Sequence, residues 1–172
     1  MKYLFVLIFI IVYIIFDKRI GYTDTSALWT HFTYMFQHAN VIHLIINSLA
    51  FIGMFRVLEK VINKYILAIS IILISSVVSY TSMYELPTVG ISGGVYVMIG
   101  IYLAVINIKK IQIWQKAYRH TLFVFIFSVI LCLAISFFKT NSNFWLHLYS
   151  LIMGYVFWMI VKLYKIINKQ YR

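Results

Sequence analysis

Three groups of polar residues interrupt stretches of sequence that are otherwise apolar, and their side-chain types are those that acyl transfer needs. The first is His38, His43 and Asn47, in Gln37-His-Ala-Asn-Val-Ile-His-Leu-Ile-Ile-Asn-Ser. His43 and Asn47 are four residues apart, so on a helix they share one face. The second is Gly90-Ile-Ser-Gly-Gly-Val-Tyr96, a small-residue turn that presents Ser92. The third is His147, followed on the same helical face by Ser150 and Gly154. Serine and histidine are the minimum for nucleophilic acyl transfer, with the imidazole taking the hydroxyl proton and later giving it to the leaving amine. Side-chain donors from Asn or His, with a backbone N–H beside the serine, can stabilise an oxyanion. Asp17, Asp24 and Glu85 lie outside the apolar stretches and Glu59 lies at the far end of one. No carboxylate can complete a triad, so a dyad is what this sequence can build.

The elements that must position these residues are set by composition. Of 172 residues, 63% are apolar, 11% are charged and one is proline. Mean hydropathy is +0.93. A soluble domain is nearer half apolar and a quarter charged. A chain of this size still exposes roughly a third of its surface, which here would be mostly hydrocarbon. Disorder, a disulfide scaffold and an ordinary cytosolic enzyme are all excluded, and lipid is the expected solvent. The single cysteine, Cys132, allows no intramolecular disulfide, matches no metal spacing, and reads as a small lipid-facing or packing residue.

A span needs about 20 mostly apolar residues. Six segments qualify: 2–16, 41–58, 65–84, 92–108, 121–138 and 143–167. They predict an all-α polytopic membrane protein forming one domain over 1–172, with no internal repeat. The first could be taken for a signal peptide, but Asp17-Lys18-Arg19 follows it where a small-residue cleavage site would stand. With the N-terminus inside, the inner segments hold Lys2, Arg56, Lys60, Lys64, Lys109, Lys110, Lys116, Arg119, Lys162, Lys165, Lys169 and Arg172. The outer segments hold only Lys18, Arg19 and Lys139. That bias of 12 to 3 predicts both termini in the cytoplasm. It also accounts for the net charge of +11 through anionic lipid headgroups, with no nucleic-acid partner. In the outer segment 17–40, Trp29, Phe32, Tyr34, Met35 and Phe36 interleave with Thr30, His31, Thr33 and Gln37, which suits a partly helical loop at the outer interface.

Topology then brings the polar groups to one level. The second, fourth and sixth spans all begin at the outer face, so His43 with Asn47, Ser92, and His147 fall at similar depth on three parallel helices. Gly93, Gly100, Ser150 and Gly154 are small enough to let the fourth and sixth spans approach closely, as lipid-embedded helices do. Such an approach would put Ser92 within reach of His147, with Tyr96 one turn on to pack against the imidazole. Taken singly, Ser92 fits close packing and His147 an interfacial histidine. Their shared depth turns the reading to catalysis. His38 reads as structural, holding the loop, and His31 and His120 as interfacial and solvated.

These residues resemble a family. Gly90-Ile91-Ser92-Gly93, His43-x-x-x-Asn47 and His147, each in its own span, are similar to the rhomboid intramembrane serine proteases of the minimal six-helix bacterial type. The likeness runs from about Trp29 to Gly154. It implies a six-helix bundle in a bacterial plasma membrane, with Ser92 as nucleophile and His147 as general base. It further implies an oxyanion hole of His43, Asn47 and the Ser92 amide, support from Tyr96, Gly90, Gly93 and His38, and no metal or cofactor. The substrates implied are single-span membrane proteins cut near the outer boundary, with the fifth span as lateral gate. Glu59-Lys60 matches a common feature of the family, whereas Trp29 is followed by Thr30 where Arg is common, and Ser150 stands where Gly is usual. Two other readings differ in kind. A non-catalytic rhomboid relative would bind membrane clients, though such relatives typically lack the Ser or His. A redox protein could hold haem between His43 and His147, but would leave Gly90–Gly94 without a purpose.

Overall fold

Asparagine opens three of the long helices. Asn40 Oδ1 accepts from the His43 amide at 2.9 Å, Asn63 Oδ1 from the Tyr65 amide at 2.9 Å, and Asn143 Oδ1 from the Leu146 amide at 3.1 Å. Each side chain thereby satisfies one of the backbone donors that a helix start leaves unpaired. In the computed structural model, which describes residues 1–16, 20–82, 85–109, 116–138 and 142–170 (backbone alone at 107–109, 116–125 and 165–170), the chain is helical. The long helices are α1 (Lys2–Ile15), α3 (Val41–Leu58), α4 (Lys64–Ser79), α5 (Ser92–Lys109), α6 (Lys116–Phe138) and α7 (Phe144–Gln170). A short α2 (Thr30–Thr33) continues into a 3₁₀ turn, Tyr34–Phe36. Extended pairing among the described residues is limited to one bridge, Tyr22 with Thr88. Asp17, Lys18, Arg19, Lys110, Lys139 and Arg172, used in the charge count, lie outside the described residues. So do the side chains of Lys109, Lys116, Arg119, His120, Lys165 and Lys169.

The distribution of side chains is that of a protein solvated by lipid. Leu7, Ile46, Leu73, Phe138 and Ile160 are exposed, while Asn47, Ser70, Ser75, Ser79 and Ser150 are buried. Large exposed apolar faces and buried hydroxyls suit a hydrocarbon surround, where polar groups turn inward. Two helices, α3 over Val41–Leu58 and α7 over Phe144–Tyr164, are long and apolar enough to cross a membrane, and the other four contain shorter apolar stretches. The fold is an all-helical integral membrane protein.

Close approach of α5 and α7 organises the bundle. A Cβ added at Gly154 would run into the Val97 carbonyl, and one at Gly100 into the Leu151 carbonyl and to 2.8 Å from the Tyr155 amide. These contacts are backbone to backbone, so nothing can move aside. Around this pair, Phe51, Phe55, Ile71, Val97, Met98 and Ile101 form the core. α1 lies against α3, with Phe5 and Phe9 packed on Phe51. Lys2 forms an ion pair with Glu59 at one end, and Phe9 reaches His38 near the other.

α4 ends at Ser79, short of the expected residue 84, for a local reason. The hydroxyls of Thr81 and Ser82 both donate to the Val78 carbonyl, at 2.8 and 3.0 Å, and that of Ser79 donates to Ser76 O at 2.6 Å. Hydroxyls that occupy helix carbonyls compete with continuation of the ladder.

The first loop is fastened to the bundle. Tyr34 Oη donates to the Ser75 carbonyl (3.2 Å), Tyr80 Oη to the Leu28 carbonyl (3.3 Å), and Gln37 Nε2 to the Phe16 carbonyl (3.0 Å). His31 departs from the expectation of a solvated residue. It is 3% exposed, sandwiched between Tyr22 and Tyr80 at 4.7 and 4.1 Å, and its Nδ1 is 2.9 Å from Ser79 Oγ. Leu28, Trp29 and Phe32 instead present the loop's exposed apolar side.

Two glycines give a contrast that packing alone decides. Gly154→Ala is expected to lower stability by about 3 kcal/mol, at the upper end for an overpacked core. Gly53→Ala, on α3 with nothing within 4 Å of the added Cβ, is expected to raise it by about 0.5–1 kcal/mol. Thermal unfolding of both in detergent checks this, and equal effects would deny the close approach of α5 and α7.

Candidate active site

The turn before α5 is held in a conformation that aims Ser92 into a cavity. Gly90 has φ +109°, a region that glycine enters at little cost. Its N–H donates to the Tyr34 carbonyl at 2.9 Å, and two residues earlier Thr88 exchanges backbone bonds with Tyr22. A Cβ at Gly90 would stand 2.8 Å from His43 Cε1 and 3.0 Å from Asn47 Nδ2. The absent side chain therefore leaves the space that those two residues occupy.

His147, on the first turn of α7, lies across from Ser92. Its Nε2 is 2.9 Å from Ser92 Oγ, and its ring stacks on Tyr96 at 4.6 Å and 24°. Nδ1 is 2.9 Å from Ser136 Oγ on α6, which is in turn 2.6 Å from Ser142 Oγ. The start of α7 is fixed beneath by Asn143, whose Nδ2 donates to Tyr22 Oη (3.1 Å), the Ser82 carbonyl (3.0 Å) and Thr88 Oγ1 (3.2 Å). The same asparagine thus caps α7 and ties both loops of the site together. Burial pushes the Tyr22 hydroxyl up to about 12, against the opposing pull of its hydrogen bonds with Ser82 and Thr88.

A cavity of about 630 Å³ is lined by Ser92, His147, His43, Asn47, Tyr96 and Ser136 among others. Asn47 is 7% exposed, and its Nδ2 has no acceptor among the described residues. His43 Nδ1 accepts from the Ala39 amide at 3.4 Å, so the neutral ring carries its proton on Nε2. Two N–H donors therefore stand beside the turn that bears Ser92. This arrangement can accept a proton from a hydroxyl at one side and stabilise a negative oxygen at the other. Among the described residues no group of three His, Cys, Asp or Glu could hold a metal ion.

Of the sequence-predicted residues, Ser92, His147, Tyr96, His43, Asn47 and Gly90 come together. Gly93 faces away, toward Tyr34 Oη at 3.2 Å and Ser150 Oγ at 3.4 Å from its added Cβ. His38 is fully buried behind the site, edge-on to His43 at 5.3 Å and against Phe9 at 5.4 Å. Cys132 is exposed and lines both this cavity and a second, apolar groove of about 620 Å³. That groove runs between α3 and α6 from Ser92 and Asn47 to Val57 and Tyr102. Ser136 was not anticipated, since a lone serine in an apolar run carries no local signal. Position relative to the helix ends offers one: Ser136, two residues before the end of α6, meets His147, three residues into α7.

Comparison with known families matches the Rhomboid domain over residues 25–164. A search of curated proteins gives no match.

Burial gives His38 a measurable signature. Desolvation foremost, and the facing His43 next, push its imidazole down to about 3, against a weak opposing pull from the Phe36 backbone. Below about 6.5 the unfolded chain binds a proton that the folded chain refuses, so stability falls with pH by about 1.4 kcal/mol per unit until about 3. Denaturation between pH 7 and 4 should therefore be steeper in pH for the native protein than for His38→Gln. Parallel profiles would show that His38 is not held neutral.

Proposed function

Because the chain belongs to the rhomboid family, we propose that it is an intramembrane serine protease working through Ser92 and His147. The observation that carries this reading is the 2.9 Å contact of Ser92 Oγ with His147 Nε2, inside a cavity that also holds Asn47 and His43. In this mechanism Ser92 Oγ attacks the scissile carbonyl as its proton passes to His147 Nε2. The tetrahedral oxyanion lies between the Ser92 amide, Asn47 Nδ2 and His43 Nε2. The imidazolium then protonates the departing amine, and a water activated by His147 Nε2 hydrolyses the acyl-enzyme. Tyr96 limits the imidazole to the plane that this transfer needs. A haem ligand would need a ring nitrogen that His147 does not have to spare, since both are engaged.

The long helices act as six spans of a single domain over 1–172, in a bacterial plasma membrane with both termini in the cytoplasm. Pairing of Lys2 with Glu59, at the opposite end of α3 from His43, suits an α1 that runs outward and an α3 that returns. The cavity then opens at the outer boundary. There it supplies water and hydrogen bonds to a substrate helix whose amides are otherwise all satisfied internally. Single-span membrane proteins reach it through the apolar groove between α3 and α6, with α6 yielding as gate, and the exposed Trp29 and Phe32 seat the first loop in the interface.

Reconstitution in liposomes with a panel of single-span substrates tests this. Ser92→Ala and His147→Ala should each lose cleavage by several orders of magnitude while remaining folded. Asn47→Ala should lower turnover about 10²–10³-fold with little change in KM, the loss expected for one oxyanion donor. More than a tenth of native activity in either dyad variant would overturn the assignment. Binding of these substrates by the native protein without any cleavage would mark a client-binding relative instead.

A further inference from the structure

We propose that Ser136 is a positioning residue for His147, holding the imidazole in its reactive tautomer and plane from the neighbouring helix α6. This rests on the reading of Ser92 and His147 as the reacting pair. For Nε2 to take the Ser92 proton it must be bare, so the neutral ring must carry its hydrogen on Nδ1. Nδ1 is 2.9 Å from Ser136 Oγ, which has the lone pairs to accept that hydrogen. Its own hydrogen can go on to Ser142 Oγ at 2.6 Å, leaving the acceptor face of Ser136 turned to the histidine. Ser136 is 5% exposed, so water does not compete readily for the bond. No carboxylate of the described residues takes this place.

A neutral hydroxyl orients without adding charge. It selects the tautomer, and with Tyr96 stacked on the ring face it fixes the imidazole by two independent contacts. When Nε2 gains its proton, the Nδ1–H bond to Ser136 becomes charge-assisted and strengthens in the step that needs it. Because α6 also borders the apolar groove, the helix past which a substrate enters is the one that orients the base.

The test separates this role from simple packing of α6. Ser136→Ala should lower kcat about tenfold, with KM unchanged, the size expected for one such hydrogen bond. The rate at which a small fluorophosphonate modifies Ser92 should fall by the same factor, since that probe needs no passage between α3 and α6. Thr and Val have nearly the same shape, so Ser136→Thr should exceed Ser136→Val about tenfold in both rates, even if the alanine variant folds poorly. Equal rates for Thr and Val, or a loss of substrate cleavage with native fluorophosphonate reactivity, would overturn the role of Ser136 alone. A Ser92→Ala variant that still cleaves would remove the dyad itself, a distinct result.

Discussion

Contact of two backbones, α5 at Gly100 and Val97 with α7 at Leu151 and Gly154, fixes the geometry on which everything else relies. In lipid no hydrophobic gain separates one apolar helix face from another, so close packing of small residues has to select the partner. Here it selects the helix that begins with Ser92 and the helix that carries His147 on its first turn. With no side chain between them, the two starts are held near enough for a direct bond of 2.9 Å. A larger residue at Gly154 would act about two turns away, yet would separate Ser92 from His147.

Setting the helices side by side is not sufficient, because the turns that open them must also be aimed. Asn143 does this for α7 through its bonds to Tyr22, Ser82 and Thr88. The first loop does it for α5, through Tyr34 and the Tyr22–Thr88 bridge. Tyr34, Tyr80 and Gln37, each donating to a backbone carbonyl, and His31, bonded to Ser79, anchor the loop in a chain that has Thr30 after Trp29. The loop is fastened from inside, with Trp29 and Phe32 left facing outward.

How much of this was legible follows from where each signal lies. His43 and Asn47 declare themselves by a spacing of four in an apolar run, and Ser92 by the glycines around it. His147 gains meaning only from depth, which the count of spans supplies. Their meeting was therefore readable as a juxtaposition, though not as a distance. His31 reads as solvated in the sequence because its burial comes from Tyr22 and Tyr80, one on each side in space and the latter 49 residues on in the chain. Ser136 carries no mark in the sequence because a helix can hide a hydroxyl on its own carbonyl four residues back, so hydropathy does not single it out. The early end of α4 has the same origin, in hydroxyls that bond locally and leave no trace in an apolar count.

In the proposed mechanism Ser92 is the one serine made nucleophilic, and His147 makes it so. Mass-spectrometric mapping of the folded protein after brief treatment with a fluorophosphonate reads this out. A single adduct is expected, on Ser92 and absent when His147 is replaced by alanine. An adduct on a different serine, or one on Ser92 that forms equally fast without His147, would contradict it.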